Sequence, residues 1–209
     1  MNNFTYETEN TRLSLETFEW DNTWIHNAND TNTARVLYIG DSISCGTRKL
    51  ATEASGDKLL FDGFGTSKAL DNPFFHDSIR LFARQQRYRN AIIFNNGLHG
   101  FHLDDTEQYP HYYEQTVKFL LNEFKDTPIF LVLTTSVANA EREERVKLRN
   151  SAVIKIAEKY DLPVIDLYSP SAEFVQFRAA DGVHFSKDGY TKFAERIVGD
   201  VLKMIDLKY

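Results

Sequence analysis

From residue 34 onward the chain alternates short apolar runs with longer stretches in which apolar positions recur every three or four residues. The short runs, at 35–39, 58–61, 91–94, 128–133 and 163–166, predict β-strands. The longer stretches, at 47–54, 74–88, 106–124, 140–160 and 187–207, predict helices. Ile79, Leu81 and Phe82 recur on one face of the second, and Val117, Leu120, Leu121 and Phe124 on one face of the third. Ile129-Phe-Leu-Val-Leu133 is apolar at every position, as a strand covered on both sides should be. Five strand–helix units in succession call for a parallel sheet with helices on both faces. The expected fold class is α/β, a three-layer α/β/α sandwich around a five-stranded parallel sheet ordered 2-1-3-4-5.

The preceding residues read differently. Thr11-Arg-Leu-Ser-Leu-Glu-Thr-Phe18 alternates polar and apolar positions like a half-buried strand, and Asn27-Ala-Asn-Asp-Thr-Asn-Thr33 reads as a loop. The expectation is an N-terminal arm over 1–33 that contributes an edge strand to a single domain over 34–209. Trp20 and Trp24 are expected to cover the core. No internal repeat, low-complexity tract or linker divides the chain.

Composition narrows the partners. The 209 residues, 42% hydrophobic, suffice for one substantial core. A net charge of −6 argues against nucleic acid, whose phosphates need clustered positive charge. Arg48, Lys49 and Lys68 still offer local charge to a small anion. The single cysteine, Cys45, excludes an intrachain disulfide framework. The opening residues lack the basic start and apolar stretch of a signal peptide, and no apolar run is long enough to cross a bilayer. A cytoplasmic protein without a membrane partner is expected, although a secreted mature form would carry the same sequence.

Against this background four segments carry candidate chemistry. Val36-Leu-Tyr-Ile-Gly-Asp-Ser42 is an apolar run ending in Gly-Asp-Ser before a helix. That junction puts the Ser42 hydroxyl at the carboxyl end of a strand, where ligands of open α/β sheets gather and helix amides favour negative charge. Ser44 is the rival hydroxyl, and a helix-capping role is the structural alternative for Ser42. Asp181-Gly-Val-His184 follows the fifth strand and supplies a carboxylate that can orient an imidazole, the arrangement a serine nucleophile needs from its base. Ile92-Ile-Phe-Asn-Asn-Gly-Leu-His-Gly100 runs a strand into two amides, two glycines and a histidine. After the second strand, the loop Phe61-Asp-Gly-Phe-Gly-Thr-Ser67 offers two glycines that can give a backbone amide to an oxyanion or simply make a turn. Cys45, one turn beyond Ser42, reads as a small buried hydrophobe.

In order and spacing, from Arg35 to the C-terminus, these blocks resemble those of the SGNH hydrolases, also called the GDSL family of esterases and acylhydrolases. Gly40-Asp41-Ser42 matches their first block and Asp181-Gly182-Val183-His184 their last. The resemblance implies that Ser42 is the nucleophile, His184 its base and Asp181 the orienting carboxylate. It also implies an oxyanion hole made of the Ser42 amide, a glycine amide from block two and an asparagine from block three. Block three is usually Gly-x-Asn-Asp, whereas this chain has Gly97-Leu98-His99-Gly100. Strict alignment puts His99 in the asparagine's place; Asn95 or Asn96, just upstream, offers the amide instead. In block two Gly65 fits better than Gly63, because it leads into Thr66-Ser67.

The resemblance implies ester hydrolysis through an acyl-serine, without a cofactor. Asp41, Asn95, Asn96, His99, His102 and Tyr109, as polar or aromatic pocket candidates, favour a small acyl group on a polar alcohol. The expected partner is a small-molecule ester, an acylated carbohydrate in particular. His99, His102 and His111 lie close in sequence but lack a carboxylate-bearing metal pattern, so no metal is expected. Glu141-Arg-Glu-Glu-Arg-Val-Lys147 reads as a solvated helix face. Two alternatives stand beside the esterase: a non-catalytic binding module for an acylated sugar on the same fold, and a flavodoxin-like nucleotide or phosphate binder. The second lacks a Gly-rich phosphate loop.

Overall fold

The computed structural model describes residues 15–106 and 108–205. Its sheet contains β1 (Asp21–Trp24), β2 (Ala34–Gly40), β3 (Leu59–Thr66), β4 (Ala91–Phe94), β5 (Ile129–Leu133) and β6 (Val164–Asp166), in the spatial order β1-β3-β2-β4-β5-β6. The last five are parallel and run 2-1-3-4-5 among themselves, as expected, while β1 lies antiparallel against β3 at the edge. The helices are α1 (Ser42–Ala54), α2 (Phe75–Gln86), α3 (Gln108–Glu123), α4 (Ala140–Tyr160), α5 (Tyr168–Glu173) and α6 (Lys187–Met204).

Strand alternation sorts the apolar side chains into two cores. Val36 and Tyr38 of β2 join the core capped by α1 and α6, whereas Leu37 and Ile39 join the one capped by α2, α3 and α4. Every position of β3, β4 and β5 is buried, which is why their sequences show no polar alternation. No helix among the described residues is long and apolar enough to cross a membrane.

Several expectations change. Part of the alternating segment at 11–18 lies outside the described residues (11–14), and 15–18 form no strand; the edge strand is β1, slightly later. Trp24 does not cover the core: it is 42% exposed, with the Arg48 guanidinium 5.9 Å from its ring. Leu81 points outward from α2, while Ile79 and Phe82 are buried. The glycine-bearing segment expected to be a loop after the second strand is the second half of β3. The short α5 and the 3-10 turns at Phe101–Thr106 and Val175–Phe177 add to the expected elements. Arg48 and Lys68 are committed to the edge strand, Arg48 through Asn22 and Lys68 through a 2.6 Å ion pair with Asp21. Lys49 faces Glu53.

The chain before β2 is fastened by a buried cation. Arg35 donates to both oxygens of Asp62 at 3.0 Å and to the carbonyls of His26, Asn27 and Asp30. Asp62 also accepts from Gln86 and from the His26 amide, so the charge pair is hydrogen-bonded throughout.

Candidate active site

The site is assembled where β2, β4 and β5 end. α1 begins at Ser42 directly after Asp41, whose side chain accepts from the Ile43 amide at 2.9 Å and caps the helix. Ser42 therefore occupies the first helical position, with the first-turn amides around it. Asp41 is buried in this capping role and does not line an open pocket. Ser44, the rival hydroxyl, is also buried and donates back to the Asp41 carbonyl at 2.7 Å. Cys45 is partly buried, with its Sγ against Gly65 of β3, and burial pushes its thiol above the usual range.

A tight turn between α5 and α6 brings the other two groups to Ser42. Gly182 holds φ +77° there, a conformation side chains resist. The Ala179 amide donates to the His184 carbonyl at 2.7 Å and the Gly182 amide to the Ala179 carbonyl at 3.0 Å. Oδ1 of Asp181 accepts from the amides of Val183 and His184, both at 2.9 Å. Its Oδ2 lies 2.8 Å from His184 Nδ1, and His184 Nε2 lies 2.8 Å from Ser42 Oγ. Because an ionised carboxylate only accepts, Nδ1 carries the proton and Nε2 presents its lone pair to the hydroxyl. Partial burial pushes the Asp181 carboxyl up, but the two amides and the imidazole outweigh it and hold the group below its ordinary value. The sequence-predicted trio thus forms one hydrogen-bonded chain.

Arg178 fixes this turn against the loop after β5, a role its sequence context did not signal. It donates to the Ser136 hydroxyl at 2.5 Å and to the Ser136 and Ser171 carbonyls at 2.9 and 3.2 Å, and it reaches the Gly182 carbonyl at 3.4 Å. The Ala138 amide donates to the same Gly182 carbonyl at 2.8 Å.

The expected oxyanion donors divide. Gly65 pairs with Gly40 on one side and Asn22 on the other, so its amide lies in the sheet plane between two strands and not in a loop facing Ser42. Asn95 is also removed: its side-chain amide donates to the Val132 carbonyl at 2.8 Å and to the Thr134 hydroxyl at 3.0 Å, which uses both of its hydrogens. Asn96 keeps one N–H beyond its bond to the Lys68 carbonyl. His99 is buried at the same sheet edge, with Nδ1 3.8 Å from Glu16 and its ring edge-on to Trp20. His102 pairs with Asp71 at 2.9 Å, and His111 bonds Gln115 on the surface of α3. No group of three or more metal-ligating side chains occurs among the described residues.

The third block is held from behind by α4 and α3. Arg149 donates to the carbonyls of Gly97, His99 and Gly100, and Tyr109 donates to that of Asn96. Asn150 clasps Thr134 through both its backbone groups. These two α4 residues were missed, yet the sequence carried a signal: they interrupt the buried stripe Val146, Val153, Ile156, Ala157 of an amphipathic helix.

No family model matches the chain, and no curated protein matches it. Solved structures do. A lipase/acylhydrolase from Enterococcus faecalis superposes with TM-score 0.65 at 16% identity over 85% of this chain and all of the other. An acetyl xylan esterase gives 0.61 at 16% over 80% and 99%. A member of the lipolytic protein G-D-S-L family from Veillonella parvula gives 0.62 at 16% over 82% and 100%. With its sheet order, its Gly-Asp-Ser at the start of α1 and these likenesses, the chain has the fold of the SGNH hydrolases.

Proposed function

We propose that this protein is a serine esterase that removes a small acyl group from a polar alcohol, an acylated carbohydrate in particular. The observation that carries this reading is the chain Ser42 Oγ–His184 Nε2–Nδ1–Asp181 Oδ2, with 2.8 Å at both links. In it Ser42 attacks the ester carbonyl while His184 takes its proton, and Asp181 stabilises the imidazolium. The tetrahedral oxyanion is met by the Ser42 amide in the first turn of α1 and by a side-chain donor of the third block. His184 then protonates the departing alcohol, and in the second half it activates the water that releases the acid. The small-acyl, carbohydrate part rests on the polar third block and on the acetyl xylan esterase among the structural likenesses.

Incubation with a fluorophosphonate, followed by peptide mass spectrometry, tests the nucleophile. Labelling at Ser42, lost in Ser42→Ala and kept in Ser44→Ala, is expected, together with faster turnover of 4-nitrophenyl acetate than of its octanoate. A folded protein that leaves Ser42 unlabelled rejects catalysis and favours the non-catalytic binder. Alanine at His99 and at Asn96, taken separately, identifies the third-block donor: its loss lowers kcat by about 10²–10³-fold.

A further inference from the structure

We propose that Arg149 is a positioning residue for the oxyanion hole, acting by turning the carbonyls of the third block away from the reacting centre. The proposal rests on the esterase reading and adds to it a function for a residue far from Ser42 in sequence. Arg149 lies on α4 with its side chain 2% exposed. Its Nη1 donates to the carbonyls of His99 at 2.6 Å and Gly97 at 3.2 Å, its Nη2 to Gly100 at 2.9 Å, and its Nε to Asp104 at 2.9 Å. The guanidinium lies 4.2 Å from the Tyr109 ring, and the Tyr109 hydroxyl donates to the Asn96 carbonyl at 2.5 Å. Between Asn96 and Gly100, four of the five carbonyls are thereby drawn to one side by a buried cation and the phenol stacked on it.

The chemical consequence concerns sign. A carbonyl oxygen turned toward the tetrahedral intermediate would repel the developing negative charge, whereas an N–H would stabilise it. Gly97-Leu98-His99-Gly100 stands where the family's asparagine block stands but contains two glycines, so its own backbone preferences do not choose which way its peptides face. Arg149 makes that choice. Its planar fork can serve several carbonyls at once, and Asp104 balances its charge. Lysine, a point charge on a flexible stem, cannot reproduce the fork.

The test compares wild type, Arg149→Lys and Arg149→Met in kcat, KM and fluorophosphonate labelling of Ser42, with hydrogen exchange of residues 96–100 and melting temperature measured in parallel. The expected result for Arg149→Lys is a folded protein with faster exchange in 96–100, kcat reduced by about 10²-fold and KM within about threefold of wild type. Arg149→Met is expected to lose at least as much activity; if it does not fold, Arg149→Lys decides. Arg149→Lys with unchanged exchange and unchanged kcat overturns the proposal, as does a loss confined to KM. If the wild type neither labels nor hydrolyses esters, the esterase reading fails by that result. Exchange in 96–100 then still decides whether Arg149 sets the loop, and unchanged exchange overturns that too.

Discussion

Asp181→Asn is the sharpest perturbation of the candidate site, because the structure dictates how an amide would sit there. Oδ1 of Asp181 already accepts from the Val183 and His184 amides. Flipping the new side chain would set its NH₂ against those two donors, so the oxygen stays where it is and the NH₂ turns toward His184 Nδ1. The imidazole must then accept at Nδ1 and carry its proton on Nε2, facing Ser42 with no lone pair to receive the hydroxyl proton. In a fully buried triad this inversion costs about 10⁴-fold in kcat. Here the Asp181 side chain is half exposed. Water therefore competes for His184 and softens the penalty to about 10²–10³-fold, or about 2.7–4.1 kcal/mol of transition-state stabilisation. Initial rates on 4-nitrophenyl acetate near neutral pH measure it, with Ser42→Ala as the background. A variant within threefold of wild type that still depends on Ser42 would mean that something other than Asp181 orients His184, and the triad assignment would fail. The same carboxylate sets a pH dependence of stability. Its folded value is depressed, so its stabilisation of the turn is complete above the ordinary carboxylate range and is lost as pH falls through the folded value. The difference in Tm between wild type and Asp181→Asn should be constant near neutrality and shrink on acidification.

Asn95→Ala should cost about 1–3 kcal/mol in a urea melt, because it strands the Val132 carbonyl and the Thr134 hydroxyl, yet Ser42 should still be labelled; loss of labelling in a folded variant would return Asn95 to the oxyanion hole. Arg178→Met removes the donors that pin the Asp181–His184 turn to the loop after β5, and kcat should fall on the order of tenfold to 10²-fold, with hydrogen exchange rising at 179–184. Arg35→Met leaves Asp62 buried without its cation and should cost about 3–5 kcal/mol by denaturant unfolding, without changing fluorophosphonate labelling of the variant while it is folded.

The parallel sheet was legible because β4 and β5 are covered on both faces and carry no polar residue: Ile129–Leu133 has one plausible fate in a chain of alternating units. The second half of β3 was not, because Gly63 and Gly65 read as turn formers. They are glycine in the strand because α1 lies across it. A Cβ on Gly63 would meet Arg48 Cδ at 2.3 Å, and one on Gly65 would meet Cys45 Sγ at 2.3 Å. A local signal was there, but its cause was a helix packed from elsewhere. β1 escaped for a related reason. All four of its residues are exposed, so no apolar alternation marks it, and its pairing with β3 is reinforced by Arg48 and Lys68.

The same division runs through the site. Ser42 and the Asp181–His184 turn are short-range arrangements: a helix start after a capping aspartate, and a carboxylate two and three residues from the amides it accepts from. Such geometry is written in adjacent residues. The third block is different. Asn95 and Asn96 are equivalent in sequence, yet the end of β4 sends one toward β5 and the other toward Lys68. The carbonyls of Gly97, His99 and Gly100 are then held by Arg149, about fifty positions away. In α4 that residue announced itself only as a charge where the helical period demanded an apolar side chain. A buried cation costs too much to be kept without partners, and its four donor contacts here all fall on one loop and its following turn. A charge on an apolar stripe therefore locates, from sequence, where distant backbone must turn its carbonyls inward, even though it cannot say which backbone that is.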